Sequence, residues 1–299
     1  MPNEGCPTVL CLILTHNAPD ALRRCVASVL EQLEAGDRLM VIDNASEPPA
    51  AATLESIDPR HPLQVVRLER NLGPAGGYAD GLRRFLQTDH AFVWIVDDDM
   101  IPGPGTLSHL RSASLAESDP VVLFPHVVDR WGSPFDFPAW CGVLIPRRIV
   151  EDVGVPREEY FWWGEDSEYL QWRIPRAGYR TVRANDATII HEMVRRGPTK
   201  PSWKFYYEIR NLVHYRLNVQ VPAGVSMWRC TRKLLRTVTF AVGSILLRED
   251  EKATKLKAVA RGISDGLAGR LGIREDVRDV VRCPPDFKAH RPSPLIQKP

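Results

Sequence analysis

Within the first hundred residues, apolar runs alternate with amphipathic helical patterns, and each run stops at a polar cluster. Residues 9–14 are apolar throughout, as in a strand covered on both faces. Leu22, Val26, Val29, Leu30 and Leu33 then recur at helical spacing. A second strand over 39–43 runs into DNAS, a third over 63–68 precedes RNLGPAGGY, and Leu82, Phe85 and Leu86 mark the next helix. Residues 91–96 form a fourth strand that delivers Asp97, Asp98 and Asp99. Such alternation specifies βαβ units and an α/β fold, with a Rossmann-like, mostly parallel central sheet flanked by helices. Ligands of open α/β sheets bind outside the carboxyl ends of the strands. The clusters THN, DNAS, RNLGPAGG and DDD are therefore expected along one edge.

Three adjacent carboxylates repel one another, so the chain needs a cation or a set of donors around residues 97–99. A formal net charge of +2 over 299 residues offers no general attraction for nucleic acid, so partners are recognised locally. NLGPAGG lacks GxGxxG spacing and follows the third strand rather than the first, which argues against a dinucleotide-dependent dehydrogenase. Cys6, Cys11, Cys25, Cys141, Cys230 and Cys283 form no CxxC pair, which predicts reduced cysteines, no structural zinc and a cytoplasmic setting. The opening MPNEGCPTVLCLILTHN has neither a basic leader nor a small-residue cleavage pattern and reads as a first core strand. No uncharged apolar run approaches the about 20 residues of a bilayer span.

Beyond Pro102 the alternation loosens, with strands expected over 121–128 and 138–145. In YFWWGEDSEYLQWRIPRAGY, Gly164 breaks the chain, Glu165 and Asp166 fall in a first helical turn, and Gly178 suits a C-cap. Short strands over 180–183 and 187–190 follow, the second ending at His191. From Trp203 the pattern is helical, and a Pro-rich tail covers 284–299.

In this order, THN, VIDNAS, RNLGPAGGYADGLR, WIVDDDM, WWGEDSEY, IIHE and FYYEIRNLVHYR resemble the family 2 inverting glycosyltransferases of the glycosyltransferase A fold, over residues 8–220. The triple Asp, the acid pair and the later His are most similar to bacterial galactofuranosyltransferases, with rhamnosyltransferases next. The resemblance implies a metal-dependent transfer of a sugar, galactofuranose first, from a nucleotide-sugar donor, UDP-linked first. The implied acceptor is a saccharide or polyprenyl-linked glycan of an envelope polysaccharide. A rhamnosyltransferase using a dTDP-linked donor, a nucleotidyltransferase, and a non-catalytic nucleotide- or glycan-binding relative stay open.

The same resemblance implies that Asp97 and Asp99 hold Mn²⁺ or Mg²⁺ at the donor diphosphate, with His191 as a third ligand and Asp98 beside the donor. The chemistry agrees, because charge developing on a departing diphosphate calls for a Lewis acid held by hard oxygen ligands. Inverting displacement also needs a carboxylate base for the acceptor hydroxyl; the resemblance gives that role to Asp166, and a helix N-terminus is expected to keep it ionised. Trp162, Trp163, Glu165 and Glu168 are expected on the acceptor side, the indoles by stacking on sugar. On the donor side stand Thr15, Asn17, Asp43, Arg70, Asn71, Gly73, Gly76 and Gly77. Asp43 is expected at the nucleoside and Arg70 at a phosphate, with Gly76 and Gly77 permitting close backbone approach.

Residues 223–262 hold nine Lys or Arg against three Asp or Glu, and VSMWRCTRKLLRTVTFAVGSILL mixes that charge with a long apolar component. The expectation is a peripheral, interfacial helix facing anionic headgroups on the inner face of the plasma membrane. Packing on the catalytic part, or an interface between copies in a homo-oligomer, is the alternative. The expected organisation is a catalytic domain over 1–220, a helical extension over 221–283 and the tail.

Overall fold

A computed structural model describes residues 7–55, 57, 63–129, 132–135, 137–192 and 199–274. The chain runs β1 (Val9–Thr15), α1 (Pro19–Leu30), β2 (Arg38–Asp43), α2 (Ala50–Leu54), β3 (Leu63–Arg67), α3 (Gly73–Phe85) and β4 (Phe92–Asp97). Then come β5 (Met100–Pro102), α4 (Thr106–Leu115), β6 (Val121–Asp129), β7 (Pro134–Phe135), β8 (Cys141–Pro146) and α5 (Arg147–Val153). A helical stretch follows, α6 (Glu165–Glu168), a π-helical segment (Tyr169–Arg173) and α7 (Ile174–Arg176), and leads to β9 (Arg180–His191). The helices α8 (Ser202–Val213), α9 (Met227–Arg248) and α10 (Lys252–Leu267) complete the described chain.

Among the described residues the strands form one mixed sheet in the order β3-β2-β1-β4-β8-β6-β9-β5, with β7 on β6. The four leading strands are parallel, and their ends coincide: Thr15 lies opposite Asp43, Asp43 opposite Arg67, and Leu14 opposite Asp97. The single edge expected from the polar clusters is thus present. Because strand side chains alternate, β1 serves two cores. Val9, Cys11 and Ile13 pack with Leu22, Val26 and Val29 of α1, whereas Leu10, Leu12 and Leu14 pack with Tyr78, Leu82 and Phe85 of α3. Each such fully buried apolar side chain contributes about 1.5–3 kcal/mol.

Two departures matter for the site. The short strands expected over 180–190 are one strand, β9, whose partner β6 shifts register between Pro125 and His126. The three-residue β5, too short to leave a periodic signal, pairs antiparallel with β9 and sets Met100 opposite His191.

A third core joins Phe161 and the α8 residues Trp203, Tyr206 and Ile209 to Ala241 and Ile245 of α9 and Ala258 of α10. On α10, a Cβ added at Gly262 would lie 2.8 Å from the Tyr206 carbonyl oxygen, and one at Gly266 would lie 2.5 Å from that of Arg210, so the two helices touch backbone to backbone. The boundary expected at residue 220 therefore cuts through one packed unit. Cys11, Cys25 and Cys230 are buried and Cys141 partly so, all as free thiols. Cys6, Cys283 and the 284–299 tail lie outside the described residues. Among the described residues no helix is long and apolar enough to cross a membrane.

Candidate active site

The strand-end loops are cross-tied. Thr15 donates its hydroxyl to Asp98 Oδ2 at 2.6 Å, and the Asn17 Oδ1 accepts the Glu47 amide at 2.7 Å. The Asn44 side chain accepts the Leu72 amide and donates to the Gly73 carbonyl, linking the end of β2 to the start of α3. Asn71 Oδ1 accepts the Gly73 amide at 2.7 Å. Gly73 has φ +68°, and an added Cβ would sit 1.9 Å from the Phe161 carbonyl oxygen, so only glycine lets these segments meet. Arg70 is exposed on the same edge.

Three donor-side expectations change. Asp43 is 0% exposed; its oxygens accept the amides of Ser46 and Ala50 and the Arg67 guanidinium. The carboxylate expected at the nucleoside is thus occupied inside the loop it shapes. Gly76 and Gly77 lie within α3, where an added Cβ would come 2.5 Å from Leu72 and 2.4 Å from Leu14, respectively. Gly77 permits close packing of α3 on β1, and Gly76 makes room for Leu72 at the start of its own helix, so neither faces a donor.

The acid cluster closes around aromatic residues. The Tyr78 hydroxyl donates to Asp97 Oδ1, and its ring lies 4.8 Å from that of Trp140. Trp140 in turn donates Nε1 to Glu165 Oε1 at 3.3 Å. Asp97 at the end of β4 and Glu165 at the start of α6 thus flank one aromatic pair. Burial, and then the charge of Asp99, pushes the Asp97 carboxyl well up. Burial, and then the charge of Asp166, raises Glu165 to about 8. Burial raises Asp166 as well, while the Ser167 amide and hydroxyl pull it down. At Asp166 desolvation thus outweighs the hydrogen bonds of the first helical turn.

The segment before the acids has an unusual backbone, with φ +59° at Phe161, +76° at Trp163 and +88° at Gly164. Positive φ in non-glycine residues costs of order 1–3 kcal/mol each and persists only where the surroundings impose it. Here Asn211 of α8 imposes it, its Nδ2 donating to the carbonyls of Tyr160, Trp162 and Trp163 at 3.0, 2.8 and 2.7 Å. Buried Arg210 also holds the Tyr160 carbonyl at 2.9 Å. Trp163 is left 56% exposed, whereas Trp162 packs edge-on against Trp203. Glu168, expected at the acceptor, is 1% exposed and ion-paired with Arg157 and Arg173, so it locks the helical stretch instead. Sequence patterns alone assign no role to Tyr78, Trp140, Arg210 or Asn211. All lie in conspicuous segments, and Arg210 and Asn211 stand out only as polar residues at apolar spacing on a helix.

Asp99 Oδ2 stands 3.2 Å from His191 Nε2, and the Glu192 amide donates to the Asp99 carbonyl at 2.8 Å, so the β5–β9 pairing makes this contact. A carboxylate oxygen beside an imidazole nitrogen suits Mn²⁺, and such ions are commonly bound by one or two carboxylates plus substrate phosphates. A divalent cation would offset both the burial and the neighbouring charge that raise Asp97. The residues present therefore fit the ion as a two-sided mount. The three-ligand set expected of Asp97, Asp99 and His191 is not assembled: no cluster of three or more such side chains with metal-site spacing occurs among the described residues. Asp97 turns one oxygen to Tyr78 instead.

The family model for glycosyl transferase family 2 matches residues 11–167. The chain is 31% identical over 215 residues to galactofuranosyltransferase GlfT1 of Mycolicibacterium smegmatis, covering 61% of this chain and 70% of that one. Among solved structures, residues 1–349 of S. aureus TarS in complex with UDP-GlcNAc superpose with a TM-score of 0.61 at 17% identity, covering 92% and 84% of the two chains. The mannosyltransferase PcManGT of Pyrobaculum calidifontis, in complex with GDP-Man and Mn²⁺, gives 0.56 at 15% identity, covering 89% and 76%. These likenesses show the glycosyltransferase A fold, with its mixed α/β sheet and flanking helices. With a family model spanning more than half its length and a relative matched over most of that relative's own, the chain belongs to glycosyl transferase family 2 and is a sugar-transferring enzyme.

Proposed function

We propose that this chain transfers a sugar with inversion from a UDP-linked donor, galactofuranose first, to a saccharide or lipid-linked glycan acceptor of an envelope polysaccharide. The observation that carries this is the aromatic pair Tyr78–Trp140, with the Asp97 cluster on one ring and the Glu165–Asp166 pair on the other. A diphosphate-side acid group and an acceptor-side acid pair then share one site, at the carboxyl edge of the parallel strands. Similarity to the galactofuranosyltransferase GlfT1 supports galactofuranose, and the fold shared with TarS, which binds UDP-GlcNAc, supports a UDP-linked donor. PcManGT, which binds GDP-Man together with Mn²⁺, supports a divalent ion.

Asp99 and His191 would hold Mn²⁺ or Mg²⁺, with Asp97 alongside, and the ion would supply Lewis-acid stabilisation to the departing nucleoside diphosphate. Asp98 and Thr15, already hydrogen-bonded, fix the donor side of the edge with Asn17 and Asn71. Asp166 takes the proton of the acceptor hydroxyl as it attacks, and a carboxylate raised by burial sits closer to the neutral range in which a base works well. Exposed Trp163 stacks on the acceptor sugar. The basic helices after residue 220 bring the enzyme to the membrane surface where lipid-linked acceptors reside.

Calorimetric titration of UDP and of dTDP, with Mn²⁺ and with a chelator, tests the reading in the wild type and in Asp166→Asn. The expected result is metal-dependent preference for UDP in both proteins, with transfer by the variant reduced by about 10²–10⁴-fold. Preference for dTDP would move the donor to rhamnose. Full activity of the variant would remove Asp166 as base, and absence of binding by either nucleotide would overturn the reading.

A further inference from the structure

A cavity of about 220 Å³ opens between the helical stretch around Trp172, the segment after α8 and the first turns of α9. Arg216, Arg229 and Lys233 line it together with Trp172, Gln220 and Cys230, and no Asp or Glu does. Among the described residues no carboxylate pairs with any of these three cations. Arg216 donates Nη1 to Gln220 Oε1 at 2.5 Å, but its Nε–H is buried and has no acceptor. Arg176 adds a fourth cation nearby, 5.1 Å from the Trp172 ring.

The buried Arg216 Nε–H without an acceptor is costly, and an anion would satisfy it while neutralising the exposed Arg229 and Lys233 beside it. The cavity is smaller than the 300–1,000 Å³ typical of organic-ligand pockets, so it suits a single charged group rather than a nucleotide-sugar. Two guanidiniums and an ammonium converging on one space match the acceptor oxygens of a phosphate.

The helix that supplies Arg229 and Lys233 also carries large apolar side chains in solvent. Trp228 is 72% exposed and Leu247 83%, and Met227, Leu235, Phe240 and Leu246 are exposed as well. An exposed apolar surface beside uncompensated basic charge is the arrangement of a helix that lies in a lipid interface. We propose that the cavity seats the phosphate of an anionic lipid headgroup while the exposed residues of α9 enter the adjoining acyl boundary. The phosphate chemistry is shared with free inorganic phosphate; the apolar surface selects the lipid. The site is separate from the acids at the sheet edge, and its test reads binding rather than transfer.

Full-length protein is sedimented with vesicles of pure phosphatidylcholine and of equimolar phosphatidylcholine and phosphatidylglycerol, and inorganic phosphate is titrated calorimetrically. The cavity variant is R229Q/K233Q; the control, K252Q/K257Q, removes the same charge from exposed positions on α10, and circular dichroism verifies both folds. The expected result is binding to the anionic vesicles only, weakened about tenfold or more in the cavity variant and little changed in the control. Equal loss in both variants would show non-specific charge attraction and overturn the site. Saturable phosphate binding without vesicle binding would overturn the lipid assignment. A wild-type dimer on gel filtration that disperses in Trp228→Ala, with no vesicle binding, would give the surface to a second copy of the chain and likewise overturn it.

Discussion

Glu165 and Asp166 are neighbours with different surroundings. Glu165 is 3% exposed, and one of its oxygens has no hydrogen-bond partner. Its folded pKa of about 8 lies above its ordinary 4.5. Between these values the folded state retains a proton that the unfolded state releases, so the contribution of Glu165 to stability is fullest below pH 4.5 and is lost as pH rises toward 8. The slope approaches about 1.4 kcal/mol per pH unit for one such proton. Glu165→Gln should flatten the wild-type dependence across this window, as read by urea unfolding at stepped pH; parallel curves would show that Glu165 does not carry the proton. The presence of acids here was legible in the sequence, but their individual duties were not. Glu168 and Asp43 look equally available as residues, yet each is closed off by partners 3 to 24 positions away.

The loop from Tyr160 to Gly164 shows the same limit for a whole element. Its glycine break and following acid turn are readable, whereas its backbone shape is imposed by Asn211, about 50 positions downstream. Asn211→Ala would leave three carbonyls without that donor, a loss of about 1–3 kcal/mol measured by thermal or urea unfolding. Because the loop places Asp166, kcat should fall about 100-fold while UDP binding is kept. Unchanged kcat would show that the loop holds its shape without Asn211. Helix α3 gives the complementary case. Its glycine-rich start resembles a ligand loop, but Gly77 faces Leu14 and closes a core. The difference lies in which strand the helix packs on, and no local spacing encodes that.

Phe161 and helix α8 share a core with the last two helices, so the chain should not divide at residue 220. A chain ending there would expose Trp203, Tyr206 and Ile209 and lose the support of α10 for Arg210 and Asn211. The expected outcome is loss of the cooperative thermal transition and binding of a hydrophobic dye; a soluble 1–220 chain with the full-length Tm would contradict the shared core. The order β1, α1, β2, β3, α3, β4 and the common edge for THN, DNAS, RNLG and DDD follow from the chain's own periodicity. Side chains repeat every second residue in a strand and about every 3.6 in a helix, and a right-handed crossover leaves a parallel strand few places to go. Folding in three dimensions alone could select β9 as the partner of β5, bring His191 to Asp99, turn Asp97 toward Tyr78 and bury Asp43 and Glu168. Those outcomes depend on desolvation and on hydrogen-bond partners brought from other elements, up to 92 positions away at His191. Such terms have no counterpart in local spacing, however clear the pattern.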